Sequence, residues 1–244
     1  MRRRPGPWLL DPTSPDFPPA SLAAPDPDGL LALGGDYSVP RLLAAYRGGI
    51  FPWSVWRGLV TWHSPDPRFV LLPENFRVPH TLRRLMKKRP FEVTVDRAFP
   101  EVIAACARSP RPGGESTWIT PALRRGYTAL HRAGHAHSAE AWLGGRLAGG
   151  LYGVAAGPCF CGESMFHLVP EASKYVFAVL APALFAAGCP FIDCQTPSPH
   201  MARFGAVPIP RADYLARLES ALSSNAAIDW RSLLPPSGTD ARAP

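Results

Sequence analysis

From His137 onward, the sequence changes from helical spacing to short strands separated by glycine turns. The first strand ends at Gly144-Gly145, a pair that favours the tight turn of a β-hairpin. Gly157-Pro158 marks a second turn. The predicted elements are strands over 137–142, 146–155 and 159–168, a helix over 172–187 and a strand over 190–195. A meander of strands followed by a helix and one more strand predicts an α+β fold.

Helical patterns dominate the chain before this sheet. The predicted elements are a helix from the N-cap Ser38 to Gly48-Gly49, a helix over Pro79–Arg89, a strand over Phe91–Val95, a helix capped by Asp96, a loop over Pro110–Ser116 and a helix opened by Thr120-Pro121. Four residues at i, i+3, i+4 and i+7 predict the buried face of the helix after Asp96: Phe99, Val102, Ile103 and Cys106. We divide the chain into a small N-terminal α/β domain over 1–90, a larger domain over 91–225 and a tail over 226–244.

Composition favours a folded chain in the cytosol. Hydrophobic residues make up 46% and charged residues 18%, which excludes a disordered protein. The longest apolar run, 175–187, is too short to span a bilayer and contains Pro182. The arginines after Met1 precede only a short apolar stretch, so a signal peptide is not expected.

The five cysteines give no sign of a disulfide framework, because their number is odd and no spacing repeats. Cys159 and Cys161 have no second Cys or His pair to complete a tetrahedral zinc site. We therefore expect buried, reduced thiols and no metal.

Positive charge is concentrated in one segment. The net charge is +7, and residues 75–89 hold six cations and no acid, so the rest of the chain carries +1. The six are Arg77, Arg83, Arg84, Lys87, Lys88 and Arg89. A basic helix face is often only solvated, but the absence of balancing acids equally favours phosphate binding.

Two polar groups interrupt apolar strands. In the strand 191–195, alternation places Asp193 and Gln195 on one face, where burial is costly unless each is partnered. They are either a structural pair or part of a site. Glu163 follows Gly162, which indicates a β-bulge or a close backbone approach, although an edge-strand glutamate facing water fits equally well. His137 and His200 are possible bases, but no spacing pairs either with a nucleophile.

Nine motif blocks, in order over roughly residues 17–215, resemble the bacterial leucyl/phenylalanyl-tRNA–protein transferase family. The blocks are Gly29–Asp36, Tyr46–Gly49 with Ile50–Trp53, Ser64–Arg68, Thr117–Ile119, Gly134–Ser138, Gly149–Val154, Gly162–Phe166, Ala172–Lys174 and Ile192–Gln195. The chain departs from the family pattern at Gly48, His63 and His167.

The resemblance implies a small N-terminal domain and a larger C-terminal domain related to the GNAT acyltransferase fold, with no metal and no organic cofactor. It implies that the donor is Leu-, Phe- or sometimes Met-tRNA and that the acceptor is a protein beginning with Arg or Lys. The acceptor is thereby marked for degradation by the N-end rule pathway. We expect the chain to act as a monomer.

The resemblance also assigns roles to residues. It implies that Gln195 and Asp193 handle the attacking amine and that Glu163 orients the acceptor, while a ribose-hydroxyl-assisted mechanism stays open. By motif alignment, the amino-acid pocket and the site for the tRNA 3′ end consist of Trp53, Trp118, Leu151, Phe160, Met165 and Leu180. The tRNA backbone contacts are assigned to the basic helix, at Arg83, Arg84, Lys87, Lys88 and Arg89.

Two other functions fit the sequence less well than an aminoacyl-tRNA–protein transferase. An acetyl-CoA-dependent acetyltransferase would need a glycine-rich pyrophosphate loop, but the corresponding stretch 169–174 has no glycine and contains an acid. A non-catalytic RNA-binding protein would use the basic helix, but it would leave Glu163, Asp193 and Gln195 without a purpose.

Overall fold

The computed structural model describes residues 6–25, 28–109, 117–224 and 226–234. The loop predicted over Pro110–Ser116 lies outside the described residues. The first sheet along the chain has four strands, in the order β1-β2-β4-β3. Its strands are β1 (Trp8–Leu9), β2 (Leu30–Leu33), β3 (Phe51–Trp56) and β4 (Leu59–His63).

A seven-stranded mixed sheet follows, in the order β11-β5-β10-β9-β8-β7-β6. Its strands are β5 (Arg68–Leu71), β6 (Glu92–Val95), β7 (Ala136–Leu143), β8 (Arg146–Ala156), β9 (Cys159–His167), β10 (Ile192–Gln195) and β11 (Val207–Ile209). The chain thus passes from the first sheet to the second between His63 and Arg68, while the domain division at residue 90 stays a prediction.

The helices pack on both faces of the larger sheet. They are α1 (Val39–Arg47), α2 (His80–Lys87), α3 (Phe99–Arg108), α4 (Pro121–Arg132), α5 (Ala172–Ala186), α6 (Pro199–Phe204) and α7 (Arg211–Ser223). One apolar cluster joins α1, α3, α4 and α7 to the sheet, and the other joins it to α2, α5 and α6. Each fully buried large apolar side chain in these clusters contributes roughly 1.5–3 kcal/mol.

Most of the predicted elements are confirmed, including the α+β class, the meander and the buried stripe on α3. The prediction that Asp96 caps α3 is wrong. Ala98 is the N-cap residue, and Asp96 has a φ of 57°. The Asp96 carboxylate instead accepts hydrogen bonds from the Ser138 amide at 2.9 Å and from His137 Nδ1 at 2.7 Å.

The end of α1 shows how local sequence sets the packing. Gly49, the residue after the C-cap, has a φ of 73°, which a residue with a side chain adopts at a cost. A Cβ atom there would lie 2.6 Å from Leu215 and 2.9 Å from Tyr214. Glycine is therefore needed at this position for α7 to pack against the end of α1.

The first part of the predicted tail packs against the larger domain. Ile228 and Trp230 are buried, and the Trp230 ring stacks on His137 with 4.0 Å between ring centroids. Among the described residues, no helix has both the length and the hydropathy needed to cross a membrane.

Candidate active site

Strand β10 lies inside the larger sheet, antiparallel to β5 and parallel to β9. Its register with β5 breaks between Asp193 and Gln195, and Gln195 has a φ of 64°. This left-handed conformation is unfavourable for a residue with a side chain, so it must be held by its surroundings.

The prediction that Asp193 and Gln195 share a face is wrong, because the break interrupts the alternation of side chains. Asp193 has no exposed surface, whereas Gln195 lines a cavity together with Ile192 and Cys194. Asp193 is not among the residues that line this cavity.

Asp193 is saturated with hydrogen bonds. Its Oδ1 accepts from Arg68 Nε and from the Gln195 amide, both at 2.9 Å. Its Oδ2 accepts from Arg68 Nη2 at 2.7 Å and from the Tyr214 hydroxyl at 2.9 Å. A carboxylate has about four acceptor positions, so this one has no free position for a substrate.

A β-bulge on β9 sets the position of Glu163. Tyr152 pairs with Ser164 and Gly153 pairs with Gly162, so Glu163 is the extra residue between two paired ones. The bulge predicted from the glycine is confirmed. A Cβ atom on Gly153 would lie 2.3 Å from the Cys161 carbonyl oxygen, so the facing strand needs glycine here.

Glu163 is only partly buried and lies at the cavity wall. Its Oε1 accepts from Gln195 Nε2 at 2.6 Å, and its Oε2 accepts from the Tyr127 hydroxyl at 3.2 Å. The Tyr127 hydroxyl is also hydrogen bonded to that of Tyr46. Burial raises the pKa of Glu163 to about 7, and hydrogen bonds from Tyr46, Gln195 and Tyr127 oppose that rise. The carboxyl group thus exchanges protons near neutral pH.

The cavity beside Glu163 has a volume of about 450 Å³, within the range of small-ligand sites. Three of the residues predicted for the amino-acid pocket line it: Leu151, Phe160 and Met165. Further apolar walls come from Phe177, Ile192 and Met201. Polar residues that line it include Ser173, Lys174, Thr196 and His200.

The other three residues predicted for the pocket lie elsewhere. Leu180 is buried in the core around α5. Trp53 and Trp118 are partly buried against the core that joins the two sheets, and the Trp53 ring lies 5.0 Å from that of His63. Motif alignment identifies such residues but does not tell which side of an element they face. A role for the two tryptophans at the tRNA 3′ end stays a prediction.

The basic helix α2 is exposed along its cationic face. The five predicted phosphate contacts Arg83, Arg84, Lys87, Lys88 and Arg89 are exposed, and none forms an ion pair with a described acid. Leu82 anchors the opposite face in the core.

The cysteines and histidines considered from the sequence as metal ligands or bases lie in different places, and of these only His200 lines the cavity. Burial raises the pKa of the Cys159 and Cys161 thiols, and the described residues contain no metal-ligand cluster. His137 lies against Asp96 and Trp230, outside the cavity. His200 lines the cavity, and burial lowers its pKa.

Sequence reasoning missed four residues of the site: Tyr46, Tyr127, Arg68 and Tyr214. Arg68 carried a usable signal, because a lone cation opens the apolar strand Arg68–Leu71 and the buried Asp193 needs a partner. The two site tyrosines Tyr46 and Tyr127 come from helices distant in sequence, and no spacing links them to Glu163.

The fold and the site define a class: an α+β protein with an apolar ligand cavity and an acid–amide pair at its wall, suited to acyl transfer. The family model for leucyl/phenylalanyl-tRNA protein transferase matches residues 70–219, and the model for the N-terminal domain of that family matches residues 35–66. The chain therefore belongs to the leucyl/phenylalanyl-tRNA protein transferase family, whose members are aminoacyltransferases.

Relatives of this family align with the chain over nearly their whole length. A leucyl/phenylalanyl-tRNA–protein transferase of Nitratidesulfovibrio vulgaris (strain DP4) is 51% identical over 225 residues, covering 92% of this chain and 95% of the relative. One from Lawsonia intracellularis is 50% identical, covering 85% and 90%, and one from Aromatoleum aromaticum is 50% identical, covering 87% and 88%.

Proposed function

We propose that this protein transfers Leu, Phe or Met from aminoacyl-tRNA to the α-amine of proteins that begin with Arg or Lys, marking them for degradation by the N-end rule pathway. The observation that carries the proposal is the hydrogen-bonded pair Glu163–Gln195 at the wall of an apolar cavity. The relatives are named as leucyl/phenylalanyl-tRNA–protein transferases, which supports the same reaction.

The apolar part of the cavity holds the donor's side chain in this proposal. Leu151, Phe160 and Met165 offer it contacts but no hydrogen-bonding side chains other than the thioether. A charged side chain would lose its hydration without compensation, so the cavity rejects it.

Gln195 receives the attacking amine. An ionised carboxylate can only accept hydrogen bonds, so Gln195 presents its Nε2 group to Glu163. This fixes the orientation of the amide and leaves its Oε1 to accept a hydrogen bond from the amine. Holding the amine and ester together supplies much of the acceleration, because oriented groups reach effective molarities on the order of 10⁵ M or more.

Glu163 takes the proton that the amine must lose. An α-amine with a pKa of about 7.7–8.0 is mostly protonated at neutral pH. A carboxylate with a pKa of about 7 is matched to accept that proton. The amine nitrogen then bonds to the ester carbonyl carbon and releases a second proton as the carbon–oxygen bond to the tRNA breaks, and the leaving ribose oxygen takes that proton. In this proposal Glu163 acts as a general base, whereas the resemblance to the family implied that it orients the acceptor.

Glu163 also favours a cationic acceptor, because its charge attracts an N-terminal Arg or Lys. Asp193 already accepts four hydrogen bonds, so it has no free position for the acceptor. Its role in this proposal is to orient Gln195, as the resemblance to the family implies.

The exposed cations of α2 bind the tRNA backbone. Each phosphate contact contributes a salt-dependent increment, with log K falling with log[salt] in proportion to the number of contacts. The double variant Arg84→Ser/Lys87→Ser should raise the KM for the donor and reduce its salt dependence, with kcat unchanged. A wild-type salt slope would contradict this assignment.

We propose that the protein acts as a monomer. We place the reaction in the cytosol, where aminoacyl-tRNA is made.

Purified protein mixed with Leu-tRNA and a model substrate beginning with Arg should yield a new N-terminal Leu, detected by mass spectrometry. Uncharged tRNA and a substrate beginning with Asp are the controls. No transfer in the complete mixture would contradict the proposal, and transfer that persists unchanged in Gln195→Ala and Glu163→Gln would favour the ribose-hydroxyl mechanism.

A further inference from the structure

Gln195 combines an unfavourable backbone conformation with a position at the cavity wall. Its φ of 64° lies in the left-handed region, where residues other than Gly, Asn and Asp are uncommon. The conformation turns its side chain towards Glu163, at 2.6 Å. Whatever holds this backbone therefore also sets the direction of the amide.

The contact that holds this backbone is a hydrogen bond from the Gln195 backbone N–H to Asp193 Oδ1, at 2.9 Å. A side chain that accepts from the backbone two residues further on stabilises a local turn of this kind. Asp193 is wholly buried, so its own position depends on its partners.

Two residues from distant parts of the chain fix Asp193. Arg68 donates from Nε and Nη2 to the two carboxylate oxygens as a bidentate pair. The Tyr214 hydroxyl donates to Asp193 Oδ2. The Arg68 guanidinium is itself held between the rings of Phe51 and Tyr214, at 4.8 and 4.4 Å. Neither Arg68 nor Tyr214 lines the cavity.

We propose that Arg68 and Tyr214 are positioning residues for the transfer reaction: they act through Asp193 to hold Gln195 in the conformation that aims its amide at Glu163. They lie behind the site and touch neither donor nor acceptor. This inference rests on the proposed function for its kinetic consequence, but its structural part is measurable without activity.

Tyr214→Phe is the sharpest variant, because it removes one hydrogen bond to Asp193 and keeps the ring that packs on Arg68 and Phe191. Tyr37→Phe, which removes a tyrosine hydroxyl that is hydrogen bonded to Thr120 and is not a partner of Asp193, is the matched control. Arg68→Lys keeps the charge but cannot form the bidentate pair with Asp193, and we expect it to have a larger effect in the same direction.

The first readout is nuclear magnetic resonance of the Gln195 amides, identified by their loss in Gln195→Ala. In Tyr214→Phe, the backbone amide should exchange with solvent about tenfold faster, and the side-chain amide signals should move towards those of free glutamine. Unchanged Gln195 signals in folded Tyr214→Phe would overturn the proposal. A wild type without transferase activity would refute the proposed function, and this readout would still decide the positioning claim.

The second readout is a double-mutant cycle of Tyr214→Phe with Gln195→Ala. Alone, Tyr214→Phe should lower kcat about tenfold, the loss expected for a hydrogen bond to a charged group, with the donor KM within about twofold. In the Gln195→Ala background, the same change should lower kcat by less than about twofold. An equal loss in both backgrounds would mean that Tyr214 has only a general structural role.

Discussion

Two carboxylates, Asp193 and Glu163, lie on neighbouring strands of one sheet but in opposite chemical situations. Asp193 accepts four hydrogen bonds, two of them from the Arg68 guanidinium, and is completely buried. Glu163 accepts from a glutamine amide and from tyrosine hydroxyls, and it faces a cavity. The first is therefore a fixed anchor, and the second is a group that can gain and lose a proton.

Glu140 shows that the number of donors alone does not make this difference. It is wholly buried and accepts from Ser138 and Thr94 hydroxyls and the Ala98 amide, yet burial raises its pKa. Its neutral donors do not offset the loss of hydration. Asp193 differs from Glu140 in having a cationic partner, the Arg68 guanidinium.

The largest expected effect is on stability. Asp193→Asn leaves Arg68 as a buried charge without its counter-ion, so the free energy of unfolding should fall by about 3–5 kcal/mol. Glu163→Gln should change it by less than about 1 kcal/mol at pH 6, where the wild-type group is mostly protonated. Urea unfolding of both variants measures the difference, and equal losses would remove the distinction between the two carboxylates.

The next effect is on turnover. Glu163→Gln keeps the size of the side chain but cannot accept a proton, so kcat should fall about 100-fold. The exposed Glu101→Gln on α3 is the matched control and should leave kcat unchanged. Single-turnover transfer from Leu-tRNA is the measurement, and a loss below about threefold would return Glu163 to an orienting role.

A smaller effect is on the pH dependence of stability. The pKa of Glu163 is about 7 in the folded state against 4.5 as its ordinary value, so the folded state binds more protons between these limits. Its contribution is complete below pH 4.5 and is lost as the pH rises through 7, a fall of about 2 kcal/mol between pH 5 and pH 8. The difference in unfolding free energy between wild type and Glu163→Gln should follow this curve. A difference that is constant with pH would refute it.

The smallest effect concerns one donor to Glu163. The Tyr127 hydroxyl opposes the rise in the pKa of Glu163, so Tyr127→Phe should raise that pKa further. The acidic limb of the kcat/KM profile should then move to higher pH, with Tyr37→Phe as the control. A profile that does not move, or that moves to lower pH, would show that Tyr127 does not tune the carboxylate.

The sequence predicted the architecture well because local signals determine it. The turn pairs Gly144-Gly145 and Gly157-Pro158 and the apolar stripe on α3 each specify an element by themselves. The bulge beside Gly162 was also readable. Alternation along β10 failed because the conformation of Gln195 depends on Arg68 and Tyr214, which are 125 and 21 residues from Asp193 in sequence.

Pocket residues were predictable only in part for a similar reason. Leu151, Phe160 and Met165 lie on the two long strands β8 and β9, whose pairing brings them together. Leu180, Trp53 and Trp118 belong to elements whose orientation depends on tertiary packing.

The most direct test of the contrast between the two carboxylates is a ¹³C NMR titration of protein labelled at the glutamate carboxyl carbons. The Glu163 signal, assigned by its absence from Glu163→Gln, should titrate with a midpoint near pH 7. A midpoint near the ordinary glutamate value of 4.5 would contradict the account, because Glu163 would then be permanently charged at neutral pH and unable to take the proton of the amine.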